Sequence, residues 1–239
     1  LREQVGRLQD DLDAAEERAE ERQAAEAYVA RTYDAVMRDR LAGKRVALLF
    51  VGPVGDVRGD IADAIGAAGG AIVRERAIRV PVSESLHEEL DPAESSLAAA
   101  GRALGSEFVA GGDTPAWDAL SEQLVLEQVG SLEEEVDAVV VARTASPQQG
   151  DTARFLRGLY EGLEGAVPAV AVEQAGTDPS FVDGLRQFDD FSTVNDVDSR
   201  VGRVSLAVLL AGEPIGRHFG IDAPHGVMPA VEPVAPFAS

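Results

Sequence analysis

The sequence predicts an α/β protein in which one long coiled-coil helix precedes a doubly wound, mostly parallel, Rossmann-like sheet of four or five strands. Three observations predict it. Heptad-spaced apolar residues open the chain, short continuous apolar runs alternate with amphipathic segments from residue 43 onward, and glycines mark the changes between them. Three parts follow: a coiled-coil helix over 1–42, an α/β domain over 43–228 and an extended, proline-bearing tail over 229–239.

Leu1, Val5, Leu8, Leu12, Ala15 and Ala19 recur at alternating intervals of four and three, with Asp, Glu and Arg between them. That is an a/d seam. Proline is absent from residues 1–41, so the helix would run roughly 60 Å. A single amphipathic helix lying on its own domain is the alternative. The narrow stripe, charged on both flanks, favours a homodimer joined through this helix. Beyond Arg22 the apolar face widens through Tyr28, Val29, Thr32, Tyr33, Val36 and Met37, so this half is expected to dock onto the domain.

Gly43 ends the helix and Arg45–Val51 is the first strand. The loop Gly52-Pro53-Val54-Gly55-Asp56 leads to a helix over 57–68 that presents Ile61, Ala64, Ile65 and Ala68 on one face. Gly69-Gly70 closes it, and a second strand is expected over 71–80. Helices are expected over 83–90, 94–109 and 116–130, then a strand over 136–142 and a helix over 148–164. A strand over 167–172, a short helix over 179–187, an edge strand over 192–194 and a last helix over 198–211 complete the domain. Asp196 or Asp198 is the expected N-cap of that last helix.

Composition narrows the function. The net charge of −21 disfavours nucleic acid and an anionic membrane face. The chain has no cysteine, which excludes disulfides, thiolate nucleophiles and Cys-ligated zinc. No apolar run reaches the roughly 18 residues of a membrane helix. The chain opens mid-helix at Leu1, so a segment upstream of it is expected, and a membrane anchor, if the protein has one, would lie there.

Catalytic motifs are missing. Gly52–Asp56 sits where a phosphate loop would, yet it matches neither G-x-G-x-x-G nor G-x-x-x-x-G-K-[ST], and Asp56 would repel an anion. The expectation is a tight turn in which glycine supplies an unusual φ. His87-Glu88-Glu89-Leu90-Asp91 departs from H-E-x-x-H at its last position, and no G-x-S-x-G occurs. Asp189, Asp190, Asn195, Asp196 and Asp198 lack EF-hand spacing and are expected to serve loops and caps. The protein is expected not to be an enzyme.

One segment concentrates donor atoms. Residues 217–228 hold two of the three histidines and one of the two methionines. Imidazole and thioether suit copper, so His218, His225 and Met228 are the candidate metal ligands and copper the candidate metal. The alternative has His218 and Met228 packing the last helix and His225 on the surface.

The stretch Phe191–Asp198, Gly202-Arg203 opening an apolar helix, His218-Phe219-Gly220 and His225-Gly226-Val227-Met228 resembles the C-terminal part of the mycobacterial copper transport protein MctB family. Leu41-Ala42-Gly43-Lys44 before the first strand and Gly69-Gly70-Ala71 before the second extend the resemblance over nearly the whole chain. It implies an actinobacterial envelope protein with an N-terminal membrane segment and a role in copper transport or homeostasis. Related corynebacterial proteins imply a second reading: a division factor that works with a protein partner and influences a peptidoglycan hydrolase. The domain itself is not expected to form a pore, because a membrane barrel needs about eight or more alternating strands.

Overall fold

The computed structural model describes residues 2–83, 97–212 and 215–232. The helix expected over 83–90, His87 and the tail beyond residue 232 lie outside them. The elements run α1 (Arg2–Met37), β1 (Arg45–Val51), α2 (Val57–Ala67), β2 (Ala71–Ile78), α3 (Leu97–Ala110), α4 (Pro115–Leu124), β3 (Val125–Val129), β4 (Ala138–Arg143), α5 (Gly150–Leu163), β5 (Ala169–Val172), α6 (Val182–Leu185), β6 (Phe191–Val194), α7 (Arg200–Leu210) and β7 (His218–Phe219).

These strands form one sheet of order β3-β2-β1-β4-β5-β6-β7. All neighbours are parallel except β3, which runs antiparallel to β2. β1 is central: Val46–Val51 are fully buried. Helices cover both faces. Val46, Leu48 and Phe50 pack toward α1, α2 and α7, and Ala47, Leu49 and Val51 pack toward α3, α4, α5 and α6. Successive strand residues alternate between the two layers, so both must be apolar, which explains the unbroken runs.

Seven strands are present among the described residues where four or five were expected. The helix expected over 116–130 stops at Leu124, because Val125 turns to φ −83° and ψ 124°. Val125–Val129 then pairs with β2, Glu75 standing opposite Val129. Leu120, Leu124 and Val125 continue a helical spacing, and the unpaired edge of β2 overrides it. β7, two residues long, covers β6, so β6 is not the edge strand.

α1 ends at Met37, before the expected boundary. Asp39 at φ 59° and Gly43 at φ 75° reverse the chain, and the Leu41 N–H donates to the Ala68 carbonyl at 2.8 Å. Val29, Val36, Met37 and Leu41 are buried in the core while Ala25 and Tyr33 pack partly against it. Tyr28 departs from the expected docking face and is half exposed.

α3 and α5 cross unusually closely. Gly101 and Gly105 on α3 face Gly158 and Gly162 on α5, and a Cβ at any of the four would collide with a backbone carbonyl of the opposite helix. Arg74 on β2 locks the neighbouring corner. Its fully buried guanidinium donates to the carbonyls of Phe108, Ser131, Leu132 and Glu134. Burial, and after it the nearby Arg76, brings its pKa down to about 10.

Candidate functional site

The donor-rich segment is held at the end of the sheet. β7 pairs with β6 so that Thr193 lies beside His218 and Val194 beside Phe219. Phe219 and Val194 point into the α1/α2/α7 layer. His218 therefore points to the opposite face, where its Nδ1 lies 3.2 Å from the Thr193 hydroxyl. Burial lowers its pKa to about 4, with Arg186, His225 and Arg217 adding to the effect. At neutral pH this imidazole is uncharged, as a metal ligand must be.

His225 folds back onto it. The His218 N–H donates to His225 Nδ1 at 3.0 Å, the His225 N–H donates to the His218 carbonyl at 3.2 Å, and the ring centroids are 5.3 Å apart. A ring that accepts at Nδ1 carries its neutral-form proton on Nε2. His225 thus fastens the loop in this arrangement, and a metal ion would have to displace a proton or the backbone hydrogen bond to use it.

Met228 lies elsewhere. It packs against the α1/α2/α7 layer. The structure brings two of the three candidate ligands together and leaves the third in the other layer. Among the described residues, no group of three or more His, Cys, Asp or Glu side chains is arranged to hold a metal ion.

Asn195 shapes the loop, as the expectation of a loop residue had it, while its partner Ile221 was not visible in the sequence. Its Oδ1 accepts from the Ile221 N–H and its Nδ2 donates to the Ile221 carbonyl, both at 2.7 Å. Gly220, at φ +121°, leaves room for that amide, since a Cβ there would strike Asn195 Oδ1. Beneath it Asp196 is buried, and burial raises its pKa. Its Oδ2 accepts from the Ser199 hydroxyl at 2.9 Å, while its Oδ1 has no hydrogen-bond partner among the described residues. Neither Asp196 nor Asp198 caps α7. Ser199 does, its Oγ accepting from the Gly202 N–H at 2.8 Å. Asp198 accepts from the Ala175 N–H and steadies the preceding loop.

Helix α1 passes over this loop. Arg18 forms a 2.6 Å ion pair with Asp222, and a groove of about 320 Å³ separates Ala15, Ala19 and Arg22 from Gly220–Ala223 and Val227. Of the expected seam, Leu12 is 57% exposed and Ala15 and Ala19 are exposed as well. Leu1 lies outside the described residues, and of Val5 and Leu8 only the backbone is described.

The loop at Gly52 is a tight turn, as expected. Gly52 has φ +111°, and a Cβ there would lie 2.7 Å from the Ala145 nitrogen. No helix among the described residues is long and apolar enough to cross a membrane.

With this geometry in view, comparison with known proteins adds one decisive match. The family described as "Copper transport outer membrane protein, MctB" matches residues 1–229. The chain belongs to the MctB family. No curated protein matches it. The family description points to copper transport in the cell envelope. Within this MctB domain, the described sheet is open and covered by helices on both faces, so it does not enclose a pore.

Proposed function

We propose that the chain is the extracytoplasmic part of a membrane-anchored, non-catalytic copper transport or homeostasis protein of the cell envelope, paired into a homodimer through a coiled coil of α1. The family match over residues 1–229 carries this reading. The domains follow as a coiled-coil stalk over 1–42, a Rossmann-like α/β domain over 43–228 and a tail over 229–239. Copper is cargo in this scheme, and the His218–His225 pair is where the domain would meet it. His218 supplies a neutral Nε2, and His225 joins after giving up its hydrogen bond to the His218 N–H. Met228, packed in the opposite layer, does not take part.

Competition for Cu(I) against a chromophoric chelator tests the direct form of this proposal. One Cu(I) per chain at micromolar or tighter affinity is expected, abolished in His218→Ala/His225→Ala and unchanged in Met228→Leu. Absence of binding in that range refutes direct copper capture by the domain.

The exposed seam favours a second reading, in which the dimer is a scaffold that recruits or regulates a peptidoglycan hydrolase during division. Leu12 is too exposed to stabilise the monomer core. Sedimentation should give a dimer for the wild type and a monomer for Leu8→Asp/Leu12→Asp, with capture of the hydrolase lost in the variant. A wild-type monomer removes both the paired stalk and the scaffold built on it.

A further inference from the structure

Arg143, the last residue of β4, stands beside β1 where strand order reverses: the chain runs outward from β1 to β2 on one side and from β4 to β7 on the other. Open α/β sheets hold ligands in the crevice at such a point, outside the carboxyl ends of the strands. Two cavities meet there on Arg143. One, of about 220 Å³, is lined by Asp56, Thr144, Glu173 and Gln174. It is acidic, and Glu173 is already occupied by the Ser180 hydroxyl and the Phe181 and Val182 N–H groups. The other, of about 280 Å³, lies between α5 and α6 and has a different character.

Leu156, Phe181, Leu185 and Phe188 give this second cavity an apolar floor, all of them buried. Arg143 and Arg157 bring positive charge to it in a chain of net charge −21. Arg157 is held by Glu161 at 3.2 Å. Arg143 has no carboxylate partner among the described residues. It lies 5.2 Å over the Phe181 ring and donates to the Pro179 carbonyl at 2.8 Å, which fixes the guanidinium and leaves other N–H groups unused.

Tyr160 supplies an independent pointer. It lines the same cavity, is only 7% exposed, and packs edge-on against Phe188 and Phe191. The Tyr160 hydroxyl makes no hydrogen bond among the described residues and is not one of the fully buried unpaired polar atoms, so it is open to the cavity as a donor. The charge of Arg143 is near enough to oppose, in part, the rise in pKa that burial gives this phenol. A neutral phenol donor and a guanidinium without a carboxylate therefore share one apolar chamber.

We propose that this cavity binds a small carboxylate with a flat apolar body, of the arylalkanoate class. The carboxylate bridges Arg143 and the Tyr160 hydroxyl, and the body lies on Leu156 and Phe188. A carboxylate matches both donors because it only accepts hydrogen bonds and pairs with a guanidinium fork. Phosphate alone would leave the apolar floor uncovered. The site is separate from the His218–His225 pair and stands whether or not that pair takes copper.

Calorimetric titration of the chain with 4-phenylbutyrate, beside 4-phenylbutan-1-ol, tests the assignment. The acid is expected to bind with a Kd below about 1 mM and the alcohol about tenfold or more weaker, since a charge-assisted hydrogen bond contributes about that factor. Tyr160→Phe keeps the ring packing and should weaken the acid about tenfold while leaving the alcohol unchanged. Arg143→Gln should remove the preference for the acid. Gly184 lines the cavity and has open space around it, so Gly184→Leu should fill the mouth and weaken both probes without unfolding the chain. Equal affinity for acid and alcohol, no binding of the acid up to several millimolar, or unaltered affinity in Tyr160→Phe would each overturn the proposal.

Discussion

Replacing Gly158 by alanine sets two well-characterised effects against each other. Within a helix Gly→Ala ordinarily stabilises by about 0.8–1 kcal/mol, because alanine loses less backbone entropy. At this position the new Cβ would run into the Ala98 carbonyl and lie 2.7 Å from Ala98 Cα. Non-bonded carbons rest at roughly 3.5 Å or more and the carbonyl contact is tighter than that to Cα, so α3 and α5 would have to part by about 1 Å or more. Both obstructing atoms are backbone, and no rotamer change relieves them. Parting also loosens Leu104, Phe155 and Leu159, which are buried in the same layer. Overpacking costs typically 1–3 kcal/mol, and an obstruction by backbone that no rotamer relieves belongs at the upper end, about 2–3 kcal/mol. The net expectation is destabilisation of about 1–2 kcal/mol, or a Tm lower by roughly 2–8 °C for a chain of this size. Gly59 is the control: it lies in α2 with open space around a would-be Cβ, so Gly59→Ala should stabilise by about 0.5–1 kcal/mol. Urea unfolding of both variants decides the matter. A Gly158→Ala chain as stable as the wild type would show that the close crossing of α3 and α5 is not required.

Three further outcomes are expected. Unfolded His218 takes a proton near pH 6.5 and the folded residue not until about 4, so the unfolded state binds more protons between those values. Its contribution to stability is complete above that window and is lost as pH falls through it; the urea midpoint of the wild type should drop more between pH 7 and pH 5 than that of His218→Gln. Arg74→Lys should lower stability by at least about 2 kcal/mol, because a lysine ammonium cannot span the four carbonyls of Phe108, Ser131, Leu132 and Glu134 and leaves buried acceptors unpaired; thermal unfolding measures it. Asn195→Ala removes both hydrogen bonds to Ile221, so amide exchange at Ile221 should speed up while exchange in β1 stays unchanged.

Local chemistry was sufficient for much of this protein. Arg45–Val51 reads as a buried parallel strand because both of its faces meet helices, and the structure gives it those same bounds. Ile61, Ala64, Ile65 and Ala68 repeat at helical spacing and all are buried. The wider apolar face after Arg22 announced where α1 joins the domain, and the motifs from Phe191 to Met228 indicated the family that the match over residues 1–229 establishes.

Tertiary structure decided what depends on partners distant in sequence. Val125–Val129 carries a helix-compatible pattern and becomes a strand because the edge of β2 lies open beside it. His218, His225 and Met228 are close in sequence, yet alternation across β7 turns His218 to one face while Met228 packs in the layer of the other. Spacing alone holds no information about which face a residue after a turn will meet. Tyr160 and Arg143, from two separate elements, likewise show no mutual signal in the chain. Sequence periodicity specifies which side of an element is apolar, because that requires only the element's own geometry. Long-range pairing specifies which polar groups converge, because convergence belongs to the sheet order and to no single segment.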